Sequence, residues 1–333
     1  IKLLYITEIL SGGRFFMPII ALFYIASKVT FEQFTFLVGV FAIVTLLLEV
    51  PSGAVADILG KRKTLLFARF FYIIEIVLLA FFNGFWFIAL AELMSGVGVS
   101  LTSGTKSALL YDILKKDKRE KDNKKISGTL SMISYISVAV VSILGAYLFT
   151  LHYKLPALAS LPLIILAFLL TFFIDEPITK KSNKKLRVSN SFAHIKEGLQ
   201  YLKKSNLIRY LSLLSIFTIP FITIIYVTSS VYLDKILIPI GLIGVVAFVS
   251  SIIGAIVSKR AHKIDLFLGG QKSILFVHIL IILTMILMSL MIPYFGVLFY
   301  FLGFVAISFS AVVFDDYINQ KIKSTHRATI LSI

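Results

Sequence analysis

Apolar runs of about 20 residues recur along the whole chain, and a helix of that length crosses a hydrocarbon core of roughly 30 Å. A soluble protein would have to bury these runs under polar segments, but only 15% of the residues are charged while 58% are hydrophobic. The pattern therefore predicts an all-α, multi-pass membrane protein in a lipid bilayer. Ten predicted spans cover residues 4–26, 36–54, 65–83, 86–110, 128–150, 155–174, 207–231, 236–258, 272–292 and 294–315, and an eleventh is expected to begin near Arg327.

Cations are distributed unevenly between the predicted loops. If the first helix starts inside the cell, the inside loops hold 26 Lys and Arg residues, whereas the outside loops hold only Lys28, Lys154 and Lys235. Because cytoplasmic loops of membrane proteins are rich in Lys and Arg, this contrast predicts a plasma-membrane protein whose N-terminus and central loop are cytoplasmic. It also accounts for the net charge of +16 without a nucleic-acid partner.

The loop lengths and an internal repeat predict two bundles. Residues 1–174 form an N-terminal six-helix bundle, residues 175–206 a cytoplasmic basic linker with an amphipathic helix, and residues 207–333 an incomplete C-terminal bundle with helices 7–10 and the start of helix 11. Segment 15–27 aligns with segment 217–229. Parallel repeats of this kind are typical of one large transporter architecture, and chance alignment of apolar segments is the alternative. Because the chain begins inside a span and stops after a basic loop, we expect a fragment.

The stretch EVPSGAVADILGKRK at residues 49–63 has the spacing G-x-x-x-D-x-x-G-K-R-K. It resembles the signature loop between helices 2 and 3 of the major facilitator superfamily, and AELMSGVGVSLTSG at residues 91–104 resembles the helix 4 motif of that family. The segments EVPSG and SGTKSALLYDIL are similar to a poorly characterised prokaryotic branch. The resemblance implies two pseudo-symmetric six-helix bundles, of which ten to eleven helices are present here, and transport by alternating access.

The same resemblance implies a latch between the two halves in the outward-open state. Asp57 and Lys61 would form it with Asp112 as the acidic partner. Independently of the family, glycine permits close helix packing or a tight turn, and a carboxylate can stabilise a helix N-terminus. The alternative is that the cations only set the topology, which we favour for Arg62 and Lys63. The predicted latch residues are Gly53, Asp57, Gly60, Lys61, Arg62 and Asp112.

Several positions depart from the family pattern. Ile58 stands where the family usually has a cation, and Glu92 stands where many drug exporters carry an arginine. Helix 5 lacks the glycine–proline motif of the drug/proton antiporters. Assignment to that branch is therefore weakened.

Ionisable residues inside predicted spans are costly and usually functional. At a rise of about 1.5 Å per residue, Arg14 and Glu75 lie at matched depth near the midplane, and Glu92 lies nearer the outer face. Arg14 can therefore pair with either glutamate. The resemblance places helices 1 and 4 at the central cavity and helix 3 outside it, which favours Arg14 with Glu92 and leaves Glu75 as a structural partner or a proton site. An ion pair that only fixes helix register is the alternative.

Two further charges lie nearer the inner ends of their helices. Glu8 and Lys106 can meet there, although we favour separate interfacial snorkelling of their side chains. In the second half, the predicted cavity residues are Tyr226 and Phe299, and an aromatic wall suits a hydrophobic or amphipathic ligand. His278 is interpreted as a packing residue.

These observations predict a monomeric secondary transporter that binds protons and a small-molecule substrate. Glu92, or else Glu75, would exchange the proton, because burial favours the neutral carboxyl. Proton-coupled efflux of a hydrophobic or amphipathic compound by antiport is the first hypothesis, and proton-coupled uptake of a small organic solute is the second. A membrane-embedded enzyme is the remote alternative: the chain has no Cys and no HExxH motif, so we expect no enzymatic activity, no metal and no cofactor.

Overall fold

The computed structural model describes residues 1–119, 122–177, 220 and 222–321. The chain divides into two compact units, Ile1–Ser191 and Phe192–Ile333, and each is described by itself. The predicted amphipathic helix of the linker and the start of the eleventh span lie outside the described residues. The division into 1–174, 175–206 and 207–333 stays a prediction.

The first unit is built from helices that pack side by side. Helix α5 packs along both α3 and α4, and α7 packs along α4 and α1. The helices are α1 (Lys2–Ser11), α2 (Ile20–Ala26), α3 (Phe31–Leu59), α4 (Lys61–Phe81), α5 (Phe85–Lys116), α6 (Asn123–Leu151) and α7 (Leu155–Thr171).

The first predicted span is not one continuous helix, which corrects the expected span 4–26. Helix α1 ends at Ser11, a short 3-10 turn follows at Met17–Ile19, and α2 begins at Ile20. The chain supplies Gly12 and Gly13 at the break and Pro18 inside the 3-10 turn. Glycine weakens helical backbone and proline removes a backbone donor, so the break falls where these residues are concentrated.

Helix α3 is longer than predicted. It begins with a capping box, in which Gln33 N donates to Thr30 Oγ1 and Thr30 N donates to Gln33 Oε1. It then continues through Pro51 to Leu59 and stops at Gly60, whose φ is +93°. Because only glycine adopts that region without strain, the turn of the 49–63 motif is made by Gly60, and the proline lies within the helix.

The second unit repeats the succession of a long helix, a glycine turn and a second helix that is seen in α3 and α4. Its helices are α8 (Ser229–Lys235), α9 (Ile240–Leu268), α10 (Gly270–Ser289) and α11 (Gly296–Lys321), and the backbone at 222–227 is also helical. Helices α3 and α9 are each 29 residues long, and each ends at a glycine of positive φ, Gly60 or Gly269, before the next helix begins. Helix α11 packs against α9 and α10.

The predicted spans from residue 36 to 174 and from 236 to 315 each coincide with one described helix. By length and composition, six described segments are long and apolar enough to cross a membrane: Phe31–Glu49, Lys61–Phe81, Phe85–Lys116, Ile126–Leu151, Ile240–Ala261 and Lys272–Ser289. Three shorter apolar segments accompany them, at Met17–Ala26, Leu155–Thr171 and Gly296–Ser310. The prediction of an all-α, multi-pass protein is confirmed.

We call the end of the first unit that carries Gly60 and Lys116 its basic end. A cluster of buried side chains from α1, α4, α5 and α6, including Leu4, Leu65 and Leu109, holds the four helices together there. Lys61 and Asp112, described below, lie on α4 and α5 at this same end.

Candidate functional site

Arg14 forms a buried ion pair with Glu75. It lies in the break after α1, and its Nη2 donates to the Glu75 carboxylate on α4 and to Ser95 Oγ on α5, the latter at 3.2 Å. Glu75 is 2% exposed. The pairing favoured by the family resemblance, Arg14 with Glu92, is therefore not the ion pair that forms. Matched depth along the helices identified the correct partner.

Aromatic rings surround the Arg14 guanidinium. Its Cζ lies 5.0 Å from the ring centroid of Tyr72 and 5.4 Å from that of Phe16, within the range of a cation–π contact. The Tyr72 ring fits there because α5 has Gly98 opposite it, where an added Cβ would come within 2.6 Å of the ring. One glycine of the helix 4 motif thus makes room for the ring beneath the arginine.

Glu92 has a different partner. Its Oε1 accepts a hydrogen bond of 2.6 Å from the hydroxyl of Tyr24 on α2, and both side chains are buried. Ser95 lies three residues further along α5, so Glu92 occupies the turn next to the Arg14 contact. Two carboxylates and one guanidinium therefore share one buried region.

Two atoms of the ion pair have no hydrogen-bond partner among the described residues. They are Nε of Arg14 and Oε2 of Glu75, and both are buried. Because buried polar atoms are nearly always bonded, these atoms are available to a water, a proton or a ligand.

A second buried arginine was missed in the sequence analysis. Arg69 on α4 is 8% exposed, and its Nη1 donates to Ser11 Oγ and, at 3.5 Å, to the Thr7 carbonyl. The signal was present, because Arg69 interrupts the apolar run LLFARFFYII inside a predicted span. It shows that α1 presents polar groups to α4 over more than one turn.

At the basic end, Lys61 and Asp112 form an ion pair between α4 and α5. Lys61 Nζ also donates to the Ala108 carbonyl at 3.3 Å. These are two of the predicted latch residues, and the structure brings them together inside one unit. This contact ties the 49–63 motif to the end of helix 4.

Asp57 makes no contact of this kind. It is exposed in the last turn of α3 and has no hydrogen bond or ion pair with a described residue. The carboxylate at the N-terminus of α4 belongs to Glu176, which accepts from the backbone N of Lys61. Sequence reasoning offered this role to Asp57 and missed Glu176, because Glu176 follows the end of α7 and lies 115 residues from Lys61 in the sequence.

Of the two motif glycines, one has the role predicted for it and the other does not. Gly60 makes the predicted tight turn, and a Cβ there would lie 3.0 Å from a Glu176 carboxylate oxygen. Gly53 is exposed, and a Cβ there would meet nothing within 4 Å. The predicted close packing at Gly53 is absent from the described residues.

Further contacts join α7 to this end of the unit. Arg62 Nη1 donates to the Phe172 and Ile174 carbonyls at 3.3 Å, so Arg62 binds a helix C-terminus besides contributing positive charge. Lys116 Nζ donates to the Asp175 carboxylate at 2.6 Å. This hydrogen bond lowers the pKa of Asp175 below its usual value.

In the second unit, aromatic side chains cluster around α11. The ring centroid of Phe304 lies 5.2 Å from that of Tyr300 and 6.5 Å from that of Tyr226. Tyr226 is half exposed and Phe299 is partly buried. His278 Nδ1 lies 2.7 Å from the carbonyl of Ile274 on the same helix, in keeping with a packing residue.

Comparisons with solved structures show which fold this is. The chain superposes on a point variant of the nucleoside transporter NupG with a TM-score of 0.82 at 13% identity, covering 99% of this chain and 85% of that one. A D-xylose-proton symporter gives a TM-score of 0.73 at 12% identity, over 99% and 84% of the two chains. A bacterial homologue of the human lysosomal transporter Spinster gives 0.72 at 13% identity, over 99% and 76%. The predicted two-bundle transporter fold is confirmed.

Sequence relatives agree with this fold. An uncharacterised MFS-type transporter of Bacillus subtilis (strain 168), YxaM, is 27% identical over 189 residues, which are 56% of this chain and 46% of that protein. An uncharacterised transporter of Buchnera aphidicola subsp. Acyrthosiphon pisum, BU466, is 21% identical over 89% of this chain and 74% of its own length. The family model described as Major Facilitator Superfamily matches residues 4–333, and the chain therefore belongs to the major facilitator superfamily of membrane transporters.

Proposed function

We propose that this transporter couples alternating access to proton exchange at the buried cluster of Arg14, Glu75 and Glu92, and that it exports a hydrophobic or amphipathic small molecule. It would do so as a monomeric antiporter in the plasma membrane, with its N-terminus and central loop in the cytoplasm. The charge imbalance within this cluster carries the proposal.

The cluster contains two buried carboxylates and one cation. The Arg14 guanidinium is bonded to Glu75, whereas the hydrogen-bond partner of Glu92 is the neutral hydroxyl of Tyr24. Arg69 makes no ion pair with either glutamate, because its Nη1 donates to Ser11 Oγ and to the Thr7 carbonyl on α1. An ionised carboxylate without a cation is costly in a buried site and neutralises instead by taking a proton. Glu92 is therefore the first candidate for the proton site, and Glu75 is the second.

Exchange requires that the proton can leave. Arg14 has one unbonded buried nitrogen and Glu75 one unbonded buried oxygen, so a small change in the position of Arg14 can redistribute its bonds between the two glutamates. When Arg14 moves toward Glu92, the guanidinium stabilises the ionised form of that carboxyl, and the neutral Glu92 side chain releases its proton. The break after α1 provides the backbone freedom for this movement.

The aromatic cluster of the second unit supports an amphipathic substrate. Tyr226 and Phe304, which pack beside the buried Tyr300, offer ring faces and one hydroxyl rather than charges, a lining that suits apolar ligands with few polar groups. Uptake of a small organic solute is the second candidate, because the D-xylose-proton symporter and the nucleoside transporter share this fold.

Proton flux measured in liposomes tests the coupling. Glu92→Gln is expected to abolish substrate-dependent proton movement, and Glu75→Gln to impair it. Asp175→Asn, which removes an exposed carboxylate at the basic end, is the matched control and should leave coupling intact. Unchanged coupling in both glutamine variants would contradict the proposal. Growth of an overexpressing strain on toxic compounds separates export, which gives resistance, from uptake, which gives sensitivity or growth.

We also propose that Asp57 is the part of the latch that engages the second half in the outward-open state. Its exposure in the first unit, beside the internally bonded pair of Lys61 and Asp112, supports this role. Asp57→Asn should shift the inward/outward equilibrium toward inward-open, measured by the distance between spin labels on the two halves. An unchanged distance distribution together with unchanged transport would contradict this role of Asp57.

A further inference from the structure

A polar cleft of about 310 Å³ opens into the first unit between α1, α5 and α6. It is separate from the cluster of Arg14, Glu75 and Glu92, none of which lines it. Its lining consists of one ion pair, three serines and two leucines: Glu8, Lys106, Ser107, Leu110, Ser127, Leu130 and Ser134. Both charges and all three hydroxyls thus face one small volume near the basic end.

The ion pair crosses the cleft from α5 to α1. Lys106 Nζ lies 2.9 and 3.0 Å from the two carboxylate oxygens of Glu8. The side chains are not snorkelling separately, as was expected from the sequence. The Lys106 side chain is 34% exposed and that of Glu8 13%, so both charges are accessible from the cleft.

The three serines differ from several other hydroxyl residues of the same helices. Ser100, Thr102 and Ser142 each donate to the carbonyl four residues earlier, which is the usual state of Ser and Thr in apolar helices. Ser107, Ser127 and Ser134 make no such bond with any residue that the structure describes, and all three are at least partly exposed. Their hydroxyls are available to a ligand in the cleft.

We propose that this cleft binds a small zwitterion, a molecule that carries an ammonium group and a carboxylate on a short spacer. Glu8 and Lys106 together carry no net charge, so neither a simple anion nor a simple cation gains from the pair as a whole. A zwitterion inserts between them: its carboxylate accepts from Lys106, its ammonium donates to Glu8, and the serine hydroxyls bind the remaining oxygens and protons. Both protein charges remain paired, which avoids the cost of an isolated buried charge.

This site does not depend on the proposed proton coupling or on the direction of transport. It is tested by equilibrium binding to the purified protein in detergent micelles, with radiolabelled β-alanine as the probe. Unlabelled propionate and propylamine, which carry one charge each, serve as competitors. Unlabelled β-alanine is expected to displace the label at roughly millimolar concentration, and the two singly charged compounds are not.

Variants locate the binding. Lys106→Met and Glu8→Gln should each weaken β-alanine binding by about tenfold or more, since each removes a charge-assisted hydrogen bond. Lys116→Met with Asp175→Asn removes an exposed ion pair at the same end of the unit and should leave binding unchanged.

A further variant is needed in case Lys106→Met or Glu8→Gln prevents the protein from folding. Replacing the three serines with alanine leaves the ion pair and the packing intact and should still weaken binding severalfold. The proposal is overturned if β-alanine does not bind the unmodified protein at up to ~10 mM, if propionate competes as well as β-alanine does, or if the serine variant binds with unchanged affinity.

Discussion

Replacing Arg14 with methionine leaves a carboxylate buried without its cation. Glu75 is 2% exposed and Arg14 Nη2 is bonded to its Oε1. Removing one partner of such a pair typically costs about 3–5 kcal/mol, whereas replacing both partners with apolar residues is often neutral. Arg14→Met should therefore lower the free energy of unfolding by about 3 kcal/mol, at the low end of that range. The cost is at the low end because Glu75 can take a proton and lose its charge.

Glu75→Gln is expected to destabilise more. A guanidinium cannot lose its charge in a protein, so the unpaired Arg14 cannot neutralise itself as Glu75 can. Its remaining route is to contact Glu92, one turn from Ser95 on α5. We expect a cost of about 4 kcal/mol if Arg14 stays in place and less if it reaches Glu92.

A double-mutant cycle measures the coupling. The single variants of the cycle are Arg14→Met and Glu75→Leu, and the latter leaves the same unpaired guanidinium as Glu75→Gln. With single costs of about 3 and about 4 kcal/mol, and a double variant within about 1 kcal/mol of the unmodified protein, the coupling should be about 6 kcal/mol. The parallel cycle of Arg14 with Glu92 should give less than about 1 kcal/mol. Unfolding of the detergent-solubilised protein, followed by circular dichroism, supplies the values. Additive costs in the first cycle, or a larger coupling in the second, would refute the reasoning from burial and contact.

Three further predictions concern other parts of the first unit. Gly145→Ala should cost about 1–3 kcal/mol, because its Cβ would lie 2.0 Å from the Phe15 carbonyl oxygen; Gly128→Ala on the same helix, where a Cβ meets nothing within 4 Å, is the control and should cost nothing. Tyr24→Phe removes the hydroxyl bonded to the buried Glu92 and should destabilise by about 1–3 kcal/mol, with transport impaired in the liposome assay. Burial lowers the pKa of Lys154 to about 8, so the unfolded chain binds this proton more tightly than the native protein does, and thermal stability should rise with pH from about 8 to about 10.5. A Lys154→Met variant should lose that rise in stability, and an unchanged pH dependence in the variant would show that Lys154 is not its source.

The helices were largely predictable, because their signals are local. Apolar runs, the positive φ required at Gly60 and the capping box at Thr30 each act over a few residues. The exceptions have local causes too: α3 continues through Pro51, and the first span breaks after Ser11. Gly12, Gly13 and Pro18 are concentrated in and just after that break, so its cause lies in the local sequence.

The site was only partly predictable. Depth along a helix follows from counting residues, and it correctly made Glu75 a possible partner of Arg14. Rotation about the helix axis does not follow from counting, because each residue turns the helix by about 100° and small differences in packing decide which side chain faces a neighbour. Glu92 therefore lies against Tyr24, and Glu176 occupies the helix terminus that the sequence offered to Asp57.

The resemblance of its motifs to the major facilitator superfamily indicated a transporter. By itself, the sequence determined that this protein is a helical, multi-pass membrane protein, with its basic loops gathered in predicted cytoplasmic connections and its rare charges inside the spans. Those features follow from hydropathy, length and charge, which need no neighbour. The tertiary structure alone decided which charges meet: Arg14 with Glu75, Lys61 with Asp112, and Glu8 with Lys106 across a cleft of free hydroxyls. Partner choice depends on contacts between segments far apart in sequence, and only the packed helices define them.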